Sequence, residues 1–281
     1  MEETRIEDPI TELIVNYNEL NRPVVEELGE EPTPLEFMRY VAKNTPFVAR
    51  GAADNWKATQ EWSAQFIKNH LHGETVNVAV TAAGNADAPT RREDGTVVFA
   101  TPWEEQQPIG EFLDYIIQQE MKKGASGNHS EVRYAQTQND NLRNEYASLF
   151  GHVQKDIPFA RIALETEPDA INLWIGNSLS TTALHKDNYE NIYVQIIGQK
   201  HFVLLPPHCQ PCVNEQDLPS SQYVRSSSFG GLELVDMPST VPFATWDPER
   251  PAENATAYSS SVQPWTVTLN PGDMLYLPCM W

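Results

Sequence analysis

Short β-rich runs separated by turn signals fill the second half of the chain, and this pattern limits the fold more than any other feature. The runs lie at residues 132–136, 170–176, 191–197, 200–205, 265–269 and 274–277. The last two are joined by Asn270-Pro271-Gly272-Asp273, and all four residue types favour tight turns. Many short strands with such punctuation are typical of a β-barrel or a jelly roll. We therefore predict a mostly β core over residues 131–281.

The first part of the chain, residues 1–130, mixes predicted helices with predicted strands. Apolar residues recur at helical spacing over residues 10–20, and helices are also predicted over 59–72 and 109–121. Thr33-Pro34 is typical of a helix start, and the helix that follows would bury Leu35, Met38 and Val41. We expect these α+β elements to pack as an N-terminal part on the β core.

Three further segments carry weaker signals. Residues 139–150 are predicted to be helical, and Gly198-Gln199 is a hairpin signal between the β-rich runs on either side of it. The segment 206–253 is rich in Pro and Ser, and we expect an ordered but irregular insert there.

The composition is strongly acidic, with 19 Lys and Arg against 39 Asp and Glu and a formal net charge of −20. Nucleic acids and anionic membranes are also negatively charged, so this surface disfavours both as partners. A basic protein or peptide is a compatible partner. Surface charge that only maintains solubility is an equally good explanation.

Sequence features also indicate the cellular compartment. No N-terminal apolar segment resembles a signal peptide, and no apolar run reaches the roughly 18 residues of a membrane span. The three cysteines, Cys209, Cys212 and Cys279, are too few for a secreted disulfide framework and indicate a reducing compartment. We therefore expect a cytoplasmic or nuclear location, or both.

His185 and Asp187 form a His-x-Asp pair that is the first candidate for a metal site. In an extended backbone, residues i and i+2 point to the same face, so the imidazole and the carboxylate would share one space. These are two of the three ligand types of the facial triad that holds non-haem Fe(II). Taken alone, such a pair is more often a surface turn.

Lys200 is the second candidate, because it begins an apolar run and shares a face with Phe202 and Leu204. A buried lysine needs a partner, since an unpaired buried charge costs several kcal/mol. A bound dicarboxylate would be such a partner. Alternatively, Lys200 lies at a strand end and extends to water.

The sequence His208-Cys209-Gln210-Pro211-Cys212 contains a Cys-x-x-Cys pair beside a histidine. Zinc binding or redox activity would fit these residue types. However, there is no second pair and the context is rich in proline, so an ordinary loop is the favoured interpretation.

Together, His185-x-Asp187, Asn191, Lys200 and the segment 270–278 resemble the jumonji-C, cupin-like family of Fe(II)- and 2-oxoglutarate-dependent oxygenases. The stretches 34–37, 81–88 and 185–191 are similar, more narrowly, to a small branch of that family described as protein lysyl hydroxylases. The resemblance covers nearly the whole chain. It implies a double-stranded β-helix of the cupin type as the core.

The resemblance also implies a role for each matching position. His185 and Asp187 would bind Fe(II). Contacts to 2-oxoglutarate would come from Lys200, Thr182, Asn191 and Tyr134. Lys200 and Thr182 would hold its distal carboxylate, and Tyr134 is equally well explained as an ordinary core tyrosine.

The implied reaction converts 2-oxoglutarate to succinate and generates an iron-oxo species that hydroxylates an unactivated C–H bond. The implied substrate is a lysine in a protein, within the class of GTP-binding proteins linked to translation. Members of the family form homodimers, but their dimer-forming segment would follow Trp281, so the resemblance leaves a homodimer of this chain open.

The sequence departs from the family pattern near Trp281. In the family, the segment Leu275-Tyr276-Leu277-Pro278 leads to a second histidine ligand, which would fall shortly beyond Trp281 here. We therefore expect a core without its last strands, and truncation of an active enzyme rather than a natural short form. Two other functions stay open: a cupin-like binding module without turnover, and a metal-dependent peptidase that acts on modified histone tails.

Overall fold

The structure is a computed structural model that describes residues 8–122, 131–226 and 231–281. Within these ranges the α-helices are α1 Pro9–Leu20, α2 Pro34–Lys43, α3 Lys57–Glu61, α4 Ala64–His70, α5 Ile109–Met121 and α6 Pro158–Leu164. Short 3-10 helices cover Ala147–His152, Pro207–Cys212 and Ser259–Ser261. None of the described helices is long and apolar enough to span a membrane.

The strands dominate the part of the chain that follows α6. In chain order they are β1 Glu26–Leu28, β2 Phe47–Ala49, β3 Thr75–Thr81, β4 Ala88–Arg91, β5 Val97–Thr101, β6 Trp103–Pro108, β7 Val132–Tyr134, β8 Asn191–Val194, β9 Lys200–Leu204, β10 Glu215–Arg225, β11 Leu232–Ala244, β12 Trp265–Leu269 and β13 Met274–Leu277. All the described α-helices lie before residue 165. This distribution agrees with the predicted mostly β fold with N-terminal α+β elements.

The sheets combine strands from both ends of the chain. Their orders are β1-β2-β13-β8, β11-β10-β5-β4, β12-β9 and β6-β3-β7. β13 lies between β2 and β8 and is antiparallel to both, so its backbone is paired on each side. β10 runs parallel to β5 from the N-terminal part. The division into residues 1–130 and 131–281 stays a prediction, and the two parts share these sheets.

The start of α2 is as predicted, but its buried face is not. The Thr33 hydroxyl accepts a hydrogen bond from the Glu36 amide, and the Glu36 carboxylate accepts one from the Thr33 amide, which forms a capping box. Phe37 is fully buried, whereas Leu35 is 70% exposed. The prediction that Leu35 is buried was therefore wrong, because the helix turns Phe37 towards the aromatic core, and Met38 and Val41 are half-buried.

The helix predicted over residues 59–72 is two helices, α3 and α4. The Ser63 hydroxyl accepts a hydrogen bond from the Phe66 amide at 3.1 Å, so a new helix begins there. The helix predicted over 139–150 was also wrong. Asn139 and Asp140 have positive φ angles of 70° and 66°, which end any helical path, and only Ala147–His152 is a 3-10 helix.

Three β predictions in the second half need correction. Residues 170–176 form no strand, and only an isolated bridge joins Ile175 to Ala135. Gly198-Gln199 does not close a hairpin, because β8 pairs with β13 whereas β9 pairs with β12. The segment 206–253 is not irregular throughout, since β10 and β11 form a long antiparallel hairpin within it.

An aromatic cluster fixes β13 within the core. Tyr276 is fully buried, and its ring centroid lies 4.9 Å from that of Phe37 and 5.3 Å from that of Phe47. These contacts join α2, β2 and β13 in one hydrophobic cluster. Side chains from β9, β12 and Trp281 form a second cluster on the neighbouring sheets. The candidate site lies beside these two clusters.

Candidate metal and cofactor site

The His-x-Asp pair lies in a loop that precedes β8. The expected extended strand is absent, because residues 181–190 form no strand. The side chains nevertheless converge, with His185 Nε2 3.7 Å from Asp187 Oδ2. They are 46% and 56% exposed, respectively. The convergence predicted from the sequence is therefore present, although the backbone conformation that was expected to produce it is not.

Neighbouring groups set the orientation and charge of the pair. His185 Nδ1 lies 2.8 Å from the carbonyl oxygen of Ala183, so this nitrogen donates and leaves Nε2 facing Asp187. The neighbouring Asp187 carboxylate raises the pKa of His185, and the imidazole in turn lowers the pKa of Asp187. A backbone carbonyl on the far nitrogen is the usual way in which a metal-binding imidazole is oriented.

The donors fit one metal ion in kind and nearly in distance. Two atoms bound at right angles to one metal, each through a bond of about 2.1 Å, lie about 3.0 Å apart. The observed 3.7 Å separation therefore requires only a small side-chain rotation. Among the described residues, no three His, Cys, Asp or Glu side chains group around a potential metal position. The structure thus brings two candidate ligands together, and their metal binding and the second histidine stay predictions.

Lys200, Tyr134 and Thr182 come together on another side of the site. Lys200 begins β9, and its Nζ lies 5.7 Å from the centroid of the Tyr134 ring. The Thr182 side chain lies close to the Tyr134 hydroxyl and lowers its pKa, an effect smaller than that of burial. Burial raises the pKa of Tyr134 to about 12, so the phenol is neutral at physiological pH. The structure therefore brings together three of the four residues predicted to contact 2-oxoglutarate.

Lys200 is a partly buried cation without a charge partner. Burial lowers the pKa of its amine, and no carboxylate lies within ion-pair distance of it in the three described ranges. Lys186, by contrast, is paired with Glu215 at 2.9 Å. A buried amine near a phenol and a hydroxyl is suited to bind a carboxylate of a ligand.

Asn191 is less closely connected to these groups. It begins β8 opposite Leu277, and its amide nitrogen donates to the carbonyl oxygen of Tyr189 at 3.3 Å. No described contact joins it to Lys200, Tyr134 or Thr182. The predicted contact between Asn191 and the cofactor therefore stays a prediction.

Sequence reasoning missed several residues that shape the site. Gly176 lies against Tyr134, and a Cβ atom at this position would be 2.7 Å from the tyrosine ring. The Tyr276 hydroxyl contacts the Glu190 carboxylate, although the two residues are 86 positions apart. Gly176 follows a β-rich run, which is a weak signal. No local pattern indicates the contact between Tyr276 and Glu190.

An open groove of about 680 Å³ lies on one side of His185. Its entrance carries the Lys186–Glu215 ion pair. Its walls are largely apolar and include Leu184, Leu205, Phe243, Met280 and Trp281. Neither Lys200 nor Tyr134 lines this groove.

The cysteine pair is part of the hydrophobic core. Cys209 and Cys212 are free thiols, and both are buried in the 3-10 helix Pro207–Cys212. The neighbouring His208 ring packs on Tyr17 with a centroid distance of 3.9 Å. This arrangement fits the structural interpretation of the pair.

Comparison with known proteins identifies the family. A family model described as a cupin-like domain matches residues 32–281. The chain belongs to this cupin-like family. It is 34% identical over 257 residues to the bifunctional peptidase and (3S)-lysyl hydroxylase JMJD7 of Homo sapiens, a match that covers 90% of this chain and 77% of the relative.

Two further relatives extend the comparison. The lysine-specific demethylase JMJ32 of Arabidopsis thaliana is 32% identical over 268 residues, which cover 92% of this chain and 75% of the relative. The JmjC domain-containing protein E of Dictyostelium discoideum is 32% identical over 271 residues, which cover 90% and 75%. The predicted jumonji-C, cupin-like membership is confirmed, and with it the cupin-like fold class. Two of these relatives are named as enzymes that act on lysine.

Proposed function

We propose that this protein is an Fe(II)- and 2-oxoglutarate-dependent hydroxylase that modifies a lysyl side chain of a protein substrate. The observation that carries the proposal is the convergence of His185 with Asp187, three residues after Thr182, which lies beside Tyr134 and so near Lys200. A His–Asp pair supplies metal donors, and nearby Lys200 is a buried cation whose carboxylate partner is not part of the described chain. A ligand with a carboxylate at one end and a metal-chelating group at the other fits both.

When bound, the metal supplies the activation of O2 that converts 2-oxoglutarate to succinate and CO2 and places the second oxygen atom on the substrate. The protein residues have simpler tasks. Lys200 pairs with the distal carboxylate, and the hydroxyls of Thr182 and Tyr134 donate hydrogen bonds to it. Ala183 holds the His185 ring so that Nε2 faces the metal. Asn191 is proposed as a further cofactor contact.

The substrate class rests on the relatives and on charge. One relative is named a (3S)-lysyl hydroxylase and another a lysine-specific demethylase, so a lysyl side chain is the shared chemistry. The net charge of −20 favours a basic protein segment over a nucleic acid. We propose a GTP-binding protein linked to translation as the substrate, a cytoplasmic or nuclear location, and a homodimer as the assembly.

The groove beside His185 is the proposed position of the substrate segment. Its apolar walls suit the aliphatic stem of a lysine, and its open side allows a protein segment to enter. In this arrangement, the substrate would occupy the groove beside His185, and 2-oxoglutarate would lie next to Lys200, which does not line the groove.

The proposal is tested by following both products of the reaction. The chain is incubated with Fe(II), 2-oxoglutarate and a purified translation-associated GTP-binding protein, and succinate and lysine oxidation are measured together. We expect succinate release and the gain of one oxygen atom on a lysine, both lost in His185→Ala and Lys200→Met. A lysine far from the site, Lys68, which pairs with Asp114, provides the matched control Lys68→Met.

Two outcomes would contradict the proposal and favour another function. Peptide cleavage that needs metal but is insensitive to 2-oxoglutarate and to Lys200→Met would indicate a metallopeptidase. Stable binding of the protein substrate without consumption of 2-oxoglutarate would indicate a binding module.

A further inference from the structure

The loop that carries the candidate metal ligands His185 and Asp187 is held to β13 and the residues after it by three contacts. The backbone amide of Met280 donates to the carbonyl oxygen of Asp187 at 2.8 Å. The Cys279 thiol donates to Asn188 Oδ1 at 3.1 Å. The Tyr276 hydroxyl donates to the Glu190 carboxylate. The three contacts follow one another along the loop, so residues 187–190 are fixed to one strand and its extension.

Tyr276 is the most rigidly held of the three residues that make these contacts. Its ring is fully buried between Phe37 and Phe47, and its backbone lies opposite Phe47 on one side and Ile192 on the other. Burial raises the pKa of Tyr276, so its hydroxyl stays protonated and acts as a donor at physiological pH. A side chain this restricted loses little further entropy when it holds Glu190.

The strand extension beyond Tyr276 is itself anchored to the end of α2. Asn44 Nδ2 donates to the carbonyl oxygen of Cys279 at 3.0 Å. Trp281 Nε1 donates to the carbonyl oxygen of Asn44 at 2.8 Å and to its Oδ1 at 2.7 Å. The backbone amide that holds Asp187 therefore belongs to a fixed segment.

Lys186 makes a further contact between this loop and the rest of the protein, and this contact is weaker. Lys186 contacts Gln210 and Glu215, each at 2.9 Å, and the Lys186 side chain is 40% exposed. Exposed ion pairs of this kind contribute about 0–1 kcal/mol. Among these contacts of the loop, the one between Tyr276 and Glu190 therefore combines a buried, immobile donor with a charged acceptor.

We propose that Tyr276 is a positioning residue that acts through Glu190 to hold His185 and Asp187 in the conformation that binds metal. The inference rests on the proposed function, since it assigns a task to residues behind the same site. Neither Tyr276 nor Glu190 makes a described contact with the side chains of His185 and Asp187. They fix the loop C-terminal to Asp187, while the Met280 amide fixes Asp187 itself.

Hydrogen–deuterium exchange of the metal-free full chain tests the inference without any cofactor. In Tyr276→Phe, we expect the Met280 amide, which donates to Asp187 of this loop, to exchange about tenfold faster, because a neighbouring hydrogen bond to a charged group is lost. Glu190→Ala should have the same effect. Glu190→Gln should restore slow exchange, since its amide oxygen still accepts from Tyr276.

The double variant separates a direct contact from two independent effects. If the residues act through one bond, Tyr276→Phe combined with Glu190→Ala exchanges no faster than either single variant. Tyr223→Phe is the matched control, because Tyr223 is also a buried tyrosine but lies on β10, in another sheet. It should leave exchange of the Met280 amide unchanged.

Mn(II) affinity, followed by electron paramagnetic resonance, is the second readout. We expect the dissociation constant to rise about tenfold in Tyr276→Phe and Glu190→Ala, and to stay near the wild-type value in Glu190→Gln and Tyr223→Phe. An unchanged exchange rate of the Met280 amide in Tyr276→Phe would overturn the inference. Faster exchange with unchanged Mn(II) affinity would also overturn it, since the contact would then be structural only.

The two proposals fail in different ways. If the wild-type chain binds no Mn(II), the proposed function is contradicted. The exchange measurement on the metal-free chain still decides whether Tyr276 holds the loop.

Discussion

Replacement of Lys200 by methionine should have opposite effects on stability and on ligand binding. Burial lowers the pKa of the Lys200 amine, which means that the fold disfavours its charge. Methionine has a similar length and carries no charge. We expect Lys200→Met to leave the ligand-free protein as stable as the wild type or about 1 kcal/mol more stable.

The effect on 2-oxoglutarate binding should be much larger and of opposite sign. Loss of one partner from a desolvated charge pair costs about 2–5 kcal/mol, which corresponds to about 30-fold to several thousand-fold in the dissociation constant. Because Lys200 is only partly buried, we expect a value near the lower end of that range. Lys68→Met should change neither ligand affinity nor its dependence on the distal carboxylate.

Chemical unfolding and calorimetric titration measure the two effects. The titration compares 2-oxoglutarate with 2-oxobutyrate, a 2-oxo acid that lacks the distal carboxylate. Wild type should prefer 2-oxoglutarate, and Lys200→Met should bind both ligands equally weakly. A variant that loses stability and keeps its preference for 2-oxoglutarate would refute the role of Lys200.

The pH dependence of stability gives a further check on Lys200. Its folded pKa lies below the ordinary value of 10.5, so the unfolded chain holds more protons between these two values. Wild-type stability relative to Lys200→Met should therefore rise as the pH increases towards 10.5. A difference that does not change with pH would contradict the burial of a charged amine.

Two other predictions concern packing and acid stability. Gly176→Ala should displace the Tyr134 ring, because the new Cβ would be 2.7 Å from it. We expect a loss of about 1–3 kcal/mol in unfolding free energy and weaker 2-oxoglutarate binding by calorimetry. Unchanged affinity would place Tyr134 outside the cofactor site. The hydrogen bond from Arg225 lowers the pKa of Glu105 from 4.5 to about 2, so its contribution, about 2 kcal/mol with solvent screening, is present above pH 4.5 and lost as the pH falls towards 2. Urea unfolding should therefore show that Arg225→Met lowers the free energy of unfolding at pH 7 and lowers it much less at pH 3. An equal loss at both pH values would contradict this contribution of Glu105.

The parts of the fold that the sequence predicted well are those with strong local signals. The bounds of β12 and β13 match the predicted runs, because Asn270-Pro271-Gly272-Asp273 forms the turn between two apolar segments. The start of α2 was also predictable, since the capping box is a local interaction between residues three apart.

The hairpin of β10 and β11 could not be predicted from the same local rules. Its prolines suggested an irregular segment, but Pro219 lies at a break in the strand register and β11 is an edge strand. Proline is tolerated at such positions because no ladder hydrogen bond is lost. Position within the sheet, which is a tertiary property, therefore reversed the local signal.

The candidate site shows the same division between local and distant signals. The proximity of His185 and Asp187 was predictable because the two residues are only two positions apart, whereas their metal binding and the role of Lys200 stay predictions. The contact between Glu190 and Tyr276 was not predictable, because it joins residues 86 positions apart, and a buried tyrosine in a strand is usually part of the core. The supporting contacts of a site depend on the fold and require coordinates.

Binding of 2-oxoglutarate in the absence of O2 tests the central claim most directly. Calorimetric titration is performed on the 281-residue chain with and without Mn(II), and with His185→Ala as the comparison. We expect Mn(II) to strengthen binding in the wild type and to have no effect in His185→Ala, because His185 and Asp187 hold the metal that chelates the ligand. Mn(II)-dependent binding that survives His185→Ala, or no binding by the wild type, would contradict the proposed site.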